Sequence, residues 1–337
     1  MQLDRTHIAI RVRTLSEIGD LGLRMVRCYP VAVTRAFFAG AAPWMVINTL
    51  LLIFLPLRIA SDEFFTDESF SDMVRYMTWM AALVVLQTPL AGAFSTYYLG
   101  QAVFEQQPTL RDTFAEIWKM KGPLIWVLGF KRLAIPTTAF LVLRIGSEPN
   151  AFLDYILPWV VVIFVAIVRS NRPFVPEMLI LERCPLRSRS PNVITLKRRS
   201  KGLHTPMVSE LGGRFLAVAF SAMALTGSIY YSLIWVRGVA TGNWSADLVA
   251  LVIFYPLALW SIAAFSVVVR LLGYLDARIR LEGWEVELAI RAEAIRQFGE
   301  DAMNTTPVAT VAEKVEPVSQ EVASPQEETV MGIEVEA

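Results

Sequence analysis

Cysteine and histidine are scarce in this chain of 337 residues, with two of each. Cys28 and Cys184 stand far apart and make no disulfide framework, and His7 and His204 have no thiol or carboxylate cluster beside them. A structural zinc centre is therefore not expected. The phosphate-cradling GxxxxGK[ST] loop, the HExxH helix and the GxSxG elbow are all missing. Each supplies the convergent backbone or side-chain groups that its chemistry needs, so nothing here points to nucleotide hydrolysis, zinc proteolysis or serine-esterase catalysis. No cofactor is expected. Excess charge is missing too: 31 Lys and Arg balance 31 Asp and Glu. The sum gives no reason to expect a nucleic-acid partner.

What the chain has instead is apolar length. Its hydrophobic fraction is 55% and its mean hydropathy is +0.47, with the excess gathered into runs long enough to cross roughly 30 Å of hydrocarbon. The expected fold is all-α: a polytopic membrane protein of six transmembrane helices with amphipathic cytoplasmic helices. The spans are placed at about 36–57, 76–99, 123–143, 151–168, 215–235 and 248–272, and the bilayer is the first partner.

Charge sets the orientation. Residues 169–214 carry Arg169, Arg172, Arg183, Arg187, Arg189, Lys197, Arg198, Arg199, Lys201 and Arg214 against Glu177, Glu182 and Glu210. Such a basic segment stays on the cytoplasmic side, and it reads as a connection between spans. The stretch SDEFFTDESFSDMVR is acidic and suits the outer side. Both chain ends then face the cytoplasm, and the protein is expected in the plasma (inner) membrane. The polar, basic opening MQLDRTHIAIRVR lacks the order of a cleaved signal, so the first span is expected to serve as the insertion signal.

The domain reading follows. Residues 1–35 form a cytoplasmic amphipathic segment, 36–275 the membrane domain with its basic loop 169–214, 276–298 a cytoplasmic amphipathic helix, and 299–337 an acidic, aperiodic, disordered tail. Thr14 to Pro30 has an apolar side that fits either the headgroup plane or the bundle. A helix start at Thr109 to Asp112, followed by Leu110, Phe114, Ile117 and Trp118 on one side, reads as a second surface helix. Ala217, Ser221, Ala224 and Ser228 at 4-3-4 spacing form a small-residue face on which another helix is expected to pack.

Two sets of residues are singled out by charge. Lys131 and Arg132 interrupt the third span, and ionisable groups inside a membrane segment are functional candidates by default, although neighbours about 100° apart on a helix cannot face one site together. Arg187, Arg189, Lys197, Arg198, Arg199 and Lys201 form a run that either obeys the orientation rule or contacts anionic lipid headgroups, at roughly 1 kcal/mol for each base near the surface.

Three stretches resemble the glycerophosphoryl diester phosphodiesterase membrane-domain family. They are LSEIGDLGLRMVRCYPVAVTRAFFAGAAPW, then VPEMLILERCPL with KRRSKGLH, then YLDARIRLEGWEVELAIR. The match rests on Arg24 and Arg27 in the first, Pro176, Glu182, Arg199 and Ser200 in the second, and Tyr274, Asp276, Arg278, Arg280, Glu282 and Gly283 in the third. The resemblance implies a six-helix bacterial membrane architecture without an assigned activity. Phosphodiesterase catalysis in that family belongs to a separate soluble domain, of which this chain has no counterpart.

The expected function is that of a non-enzymatic scaffold, anchor or accessory subunit with a protein partner at its cytoplasmic face and anionic lipids as a further contact. The alternative is a transporter or permeability protein, favoured by Lys131 and Arg132 and by Pro43, Pro89, Pro136 and Pro256 within spans. A lipid-handling enzyme is a third class.

Overall fold

A computed structural model of the chain describes residues 13–30, 32–61, 66–102, 108–148, 150–188 and 193–283. The expected helix beyond Gly283, the acidic tail, most of residues 1–13 and Arg189 lie outside the described residues. Among the described residues every regular element is a helix.

Helix α1 (Leu15–Cys28) starts where Thr14 accepts from the Glu17 backbone N–H while the Glu17 carboxylate accepts from Thr14. This reciprocal cap satisfies two otherwise orphaned donors. Ile18, Gly22 and Met25 form its buried face, and Gly22 lies against Phe265 and Val269. Of the two placements its pattern allows, packing on the bundle is the one observed. Helix α2 (Phe37–Leu52) is followed by α3 (Phe54–Ser61), and α4 (Asp67–Ala91) meets α5 (Ala93–Ala102) at a 43° bend. Pro89 has no N–H for the Val85 carbonyl and its ring crowds that turn, which accounts for a bend here. Gly40 on α2 is required by close approach, because a Cβ there would stand 2.1 Å from the Ala91 carbonyl oxygen.

Helix α6 (Leu110–Lys119) is capped by Thr109 and Asp112 as its sequence suggests, and Leu110, Phe114 and Trp118 are exposed. Next, α7 (Lys121–Leu124) runs into a π-turn at Ile125–Phe130, and α8 (Ala134–Leu143) leaves at 66°. Leu133 sits between them at φ 62°. A left-handed leucine costs about 1–2 kcal/mol, so the turn is held by its surroundings. Helix α9 (Leu157–Asn171) follows a π-turn capped by Asn150, then α10 (Val175–Ile180) and α11 (Leu196–His204) precede the two long helices α12 (Val208–Thr241) and α13 (Tyr255–Glu282).

Four helical stretches are long and apolar enough to cross a bilayer: Val33–Leu52, Ala151–Asn171, Leu196–Thr241 and Ala250–Glu282. The number rises to six when each bent pair is counted as one span. The third expected span is thus two short helices with a sharp break at Lys131 and Arg132.

Among the described residues two large apolar clusters occupy the bundle, beside a small one at Leu86, Ala134 and Val165. One joins α2, α4 and α13 through Phe37, Trp79, Leu83 and Trp260. The other joins α1, α5, α10, α11 and α13 through Ile18, Leu99, Met178, Leu203 and Leu271. This second cluster corrects the reading of residues 169–214 as a mere connection: α10 is buried throughout, and Leu196, Ser200, Leu203 and His204 of α11 are buried as well. Its apolar residues, VPEMLI among them, had been outweighed by its arginines in a charge-based reading.

Two further expectations are corrected. The boundary expected at 275/276 falls inside α13, which continues to Glu282 and stops at Gly283 in the left-handed conformation that glycine accepts without strain. The face Ala217, Ser221, Ala224 and Ser228 is exposed; α12 buries Leu211, Tyr230 and Ile234 instead.

Candidate functional site

The charged residues form separate groups. At one end of the bundle Asp154 and Arg75 are almost fully buried and paired at 3.1 Å, with Arg144 completing the trio at 2.8 Å. At the other end lie the residues singled out from the sequence. Along the continuous helical stretch Ala151–Asn171, formed by the π-turn and α9, the two levels marked by Asp154 and Arg169 are separated by about 22 Å at 1.5 Å per residue. That is less than the roughly 30 Å of a hydrocarbon layer, so burial against protein rather than water must shield one level or both.

Glu182 is the centre of a clasp. Arg199 donates to it twice, at 2.6 and 2.7 Å, while the Tyr274 hydroxyl also donates and Arg278 stands 3.7 Å away. Arg199 and Arg278 both reach Glu282 as well. Burial would raise the Glu182 pKa, but the hydrogen bonds from Arg199 and Tyr274 outweigh it and hold the carboxyl below its ordinary value. Beside it Asp276, 1% exposed, accepts from the Arg13 backbone N–H and pairs with Arg214 and Arg280, each at 3.1 Å. Arg280 in turn donates to the Arg13 carbonyl. The closing signature Tyr274, Asp276, Arg278, Arg280 and Glu282 therefore ties the start of α1, the segment after α10, and α11 and α12 to about two and a half turns of α13. Its charges are spent on one another, which makes it a structural clasp. Arg199, expected to contact lipid, is consumed here, whereas Arg187, Lys197, Arg198 and Lys201 remain exposed.

A second constellation has a surplus of cations. Arg132, Arg169, Arg214 and Arg270 line one cavity of about 260 Å³, together with Thr88, Phe174, Phe215, Val218, Ser266 and Gly273. Each arginine arrives for a local reason. The left-handed turn at Leu133 leaves Lys131 exposed and Arg132 5% exposed, so the pair separates as helix geometry requires. Arg132 donates to the Arg172 carbonyl, 2.9 Å away at the C-terminus of α9, where backbone acceptors lack partners. Arg169 donates to the carbonyls of Val85 and Leu86, at 2.5 and 3.2 Å. Pro89 deprives Val85 of its helical donor, so the kink and the arginine explain each other. Arg270 is paired with the fully buried Glu177 at 2.6 Å.

The accounting of charge is uneven. Arg214 is offset by Asp276 and Glu210, and Arg270 by Glu177. Among the described residues Arg132 and Arg169 have no carboxylate partner. Arg169 Nε and Arg270 Nη2 are buried without a hydrogen-bond acceptor. An unpaired buried cation is costly, and its remedy is an anion with several acceptor oxygens. His204 backs this wall: its Nε2 accepts from the Phe174 N–H, its Nδ1 is 2.8 Å from the Ser200 carbonyl, and its ring stacks on Phe174. These partners assign it the neutral Nδ1–H tautomer.

Of the cavity's arginines, sequence reasoning picked out Arg132 alone as a functional candidate; Arg169 and Arg214 were read only as orientation signals. Arg270 was overlooked within the apolar run 248–272, although a lone arginine there is the signal that could have found it. Asn48 and Gln87 were also missed; they exchange hydrogen bonds at 2.8 and 2.9 Å within the bundle. No group of three or more His, Cys, Asp or Glu among the described residues could hold a metal ion. The chain matches no family model, no curated protein and no solved structure.

Proposed function

We propose that the chain is a non-enzymatic integral membrane protein of six spans, both ends in the cytoplasm, that holds an anionic group in its arginine-lined cavity. The observation carrying this reading is the pair of arginines without carboxylates, Arg132 and Arg169, beside the unsatisfied N–H groups of Arg169 and Arg270. The orientation is supported by the concentration of bases in residues 169–214. The exposed Leu110, Phe114 and Trp118 of α6, with Lys121 over the Trp118 ring, suit the headgroup region on that side. An anchor or accessory role agrees with a ligand site whose lining holds four arginines and no Cys, His, Asp or Glu to activate a hydroxyl. The resemblance to the phosphodiesterase-associated membrane domain rests on its three motifs and contributes architecture alone.

The test is thermal unfolding in a zwitterionic detergent with inorganic pyrophosphate as the probe. At ten times its dissociation constant a ligand specific to the folded state adds about 1.4 kcal/mol, so a saturable rise of several degrees is expected, lost in the double variant Arg132→Ala with Arg169→Ala. No stabilisation of the parent protein would refute the reading. A transporter for an anionic solute is the second reading, favoured by the helix breaks at Gly92 and Leu133, since discontinuous helices often line transport sites. Flux of labelled anion into reconstituted vesicles separates it from static binding.

A further inference from the structure

The arginine cavity has an apolar annex. A second cavity, of about 320 Å³, is bounded by α1, α12 and α13 and shares Leu15, Val218, Ala222, Ser266 and Val269 with the first. Its remaining wall is Ser16, Gly19, Ala217, Ser221, Leu225, Ile262 and Phe265, of which only the two serines carry a polar side chain. The residues that widen it belong to the small-residue face of α12 that no described helix covers, and a Cβ on Gly19 would meet nothing within 4 Å. Arginines with unmet donors at one end and an uncharged trough continuing from them along the bundle surface match one kind of molecule, an anion attached to a hydrocarbon chain.

We infer that the occupant is an anionic phospholipid of the surrounding leaflet, its phosphate on Arg132, Arg169 and Arg270 and an acyl chain in the trough between α1 and α12. The inference rests on the anion reading above and adds the source of the anion. Charge complementarity selects the headgroup: a phosphodiester offers several acceptors to guanidinium forks, while a zwitterionic lipid brings a second cation into a site already rich in them. The trough selects a lipid over a free phosphate, because its uncharged wall gives a chain van der Waals contacts and gives a free phosphate no cation. Entry is lateral, since Ala217, Ser221 and Leu225 are exposed along the outer side of α12.

The experiment is native mass spectrometry of the full chain released from detergent, titrated with phosphatidylglycerol, phosphatidylcholine or the chainless glycerol 1-phosphate. Expected is one phosphatidylglycerol per chain, bound at least tenfold tighter than either of the others. Gly19→Leu with Ser221→Leu, both lining the trough and neither lining the arginine cavity, is expected to weaken phosphatidylglycerol at least tenfold while pyrophosphate stabilisation persists. Leu225→Trp, which also lines the trough and not the arginine cavity, is the second variant in case the leucine pair impairs folding. Unchanged phosphatidylglycerol binding in a folded trough variant would overturn the lipid assignment. Glycerol 1-phosphate binding as tightly as the lipid would make the source a free phosphate. If pyrophosphate does not stabilise the parent protein, the anion reading fails, and an intact pyrophosphate response without lipid selectivity sinks this inference alone.

Discussion

Glu177 is fully buried and, among the described residues, is the only carboxylate in ion-pair contact with Arg270, so Glu177→Gln changes one charge at the centre of the cavity's charge accounting. Removing one member of a buried ion pair costs about 3–5 kcal/mol, because the other charge is left behind. In an empty protein that cost is joined by repulsion among Arg132, Arg169 and Arg270. At about 2–4 °C per kcal/mol for a domain of this size class, the unfolding midpoint should fall by about 6–20 °C. The same change should strengthen anion binding. A carboxylate about 6 Å from a bound anion repels it by about 3 kcal/mol at an effective dielectric of 20, and its loss corresponds to a gain on the order of 100-fold. The assay is thermal unfolding of both proteins across a pyrophosphate titration: the variant starts lower and responds at lower concentration. A variant as stable as the parent, or one that binds more weakly, would refute the charge accounting of the cavity.

The remaining predictions concern the clasp, the cysteines and the helix contacts. Glu182→Gln should cost about 2–3 kcal/mol, the range for losing a charged hydrogen-bonded partner, read as a lower midpoint in denaturant. Because the Glu182 pKa is depressed in the folded protein, its contribution is present above the ordinary carboxylate pKa and is lost as pH falls through the folded value. The parent should therefore lose stability in that acidic range more steeply than the Gln variant, and parallel pH profiles would count against the clasp. Burial, then the Glu182 charge, pushes the Cys184 thiol up to about 11, whereas Cys28 is exposed. At pH 8 only about one Cys184 in a thousand is then ionised, so an alkylating agent should modify Cys28 well before Cys184; equal rates would contradict the burial. Gly40→Val should cost about 3 kcal/mol or more by overpacking against the Ala91 carbonyl, seen as loss of a monodisperse peak in size exclusion.

The helical class and the helix start at Thr109 were legible because each depends on residues within a few positions of one another; the Thr14–Glu17 cap is equally local and was passed over. Also legible was the distinctness of the Tyr274 to Gly283 signature, although not its purpose, which depends on Glu182, Arg199 and Arg214 arriving from other parts of the chain. The break in the third span could not be read from its apolar sum, since the left-handed turn at Leu133 leaves no mark in hydropathy. Arg270 was hidden for a related reason: averaging over an apolar run suppresses the single charge that matters. The small-residue face of α12 shows the opposite failure, for its spacing does suit a close helix contact, but the described neighbours spend their burial on Leu211, Tyr230 and Ile234. Pro89 was read only as one of four prolines within spans, and the tertiary structure shows that the carbonyl it frees is the one Arg169 occupies.

The most direct measurement is an experimental density map of the protein in a phospholipid nanodisc, at a resolution that separates side chains from ordered water. The account predicts compact tetrahedral density against Arg169 Nε and Arg270 Nη2, continuing as a tube between α1 and α12. A cavity filled by water alone, or arginines swung out to solvent, would contradict it.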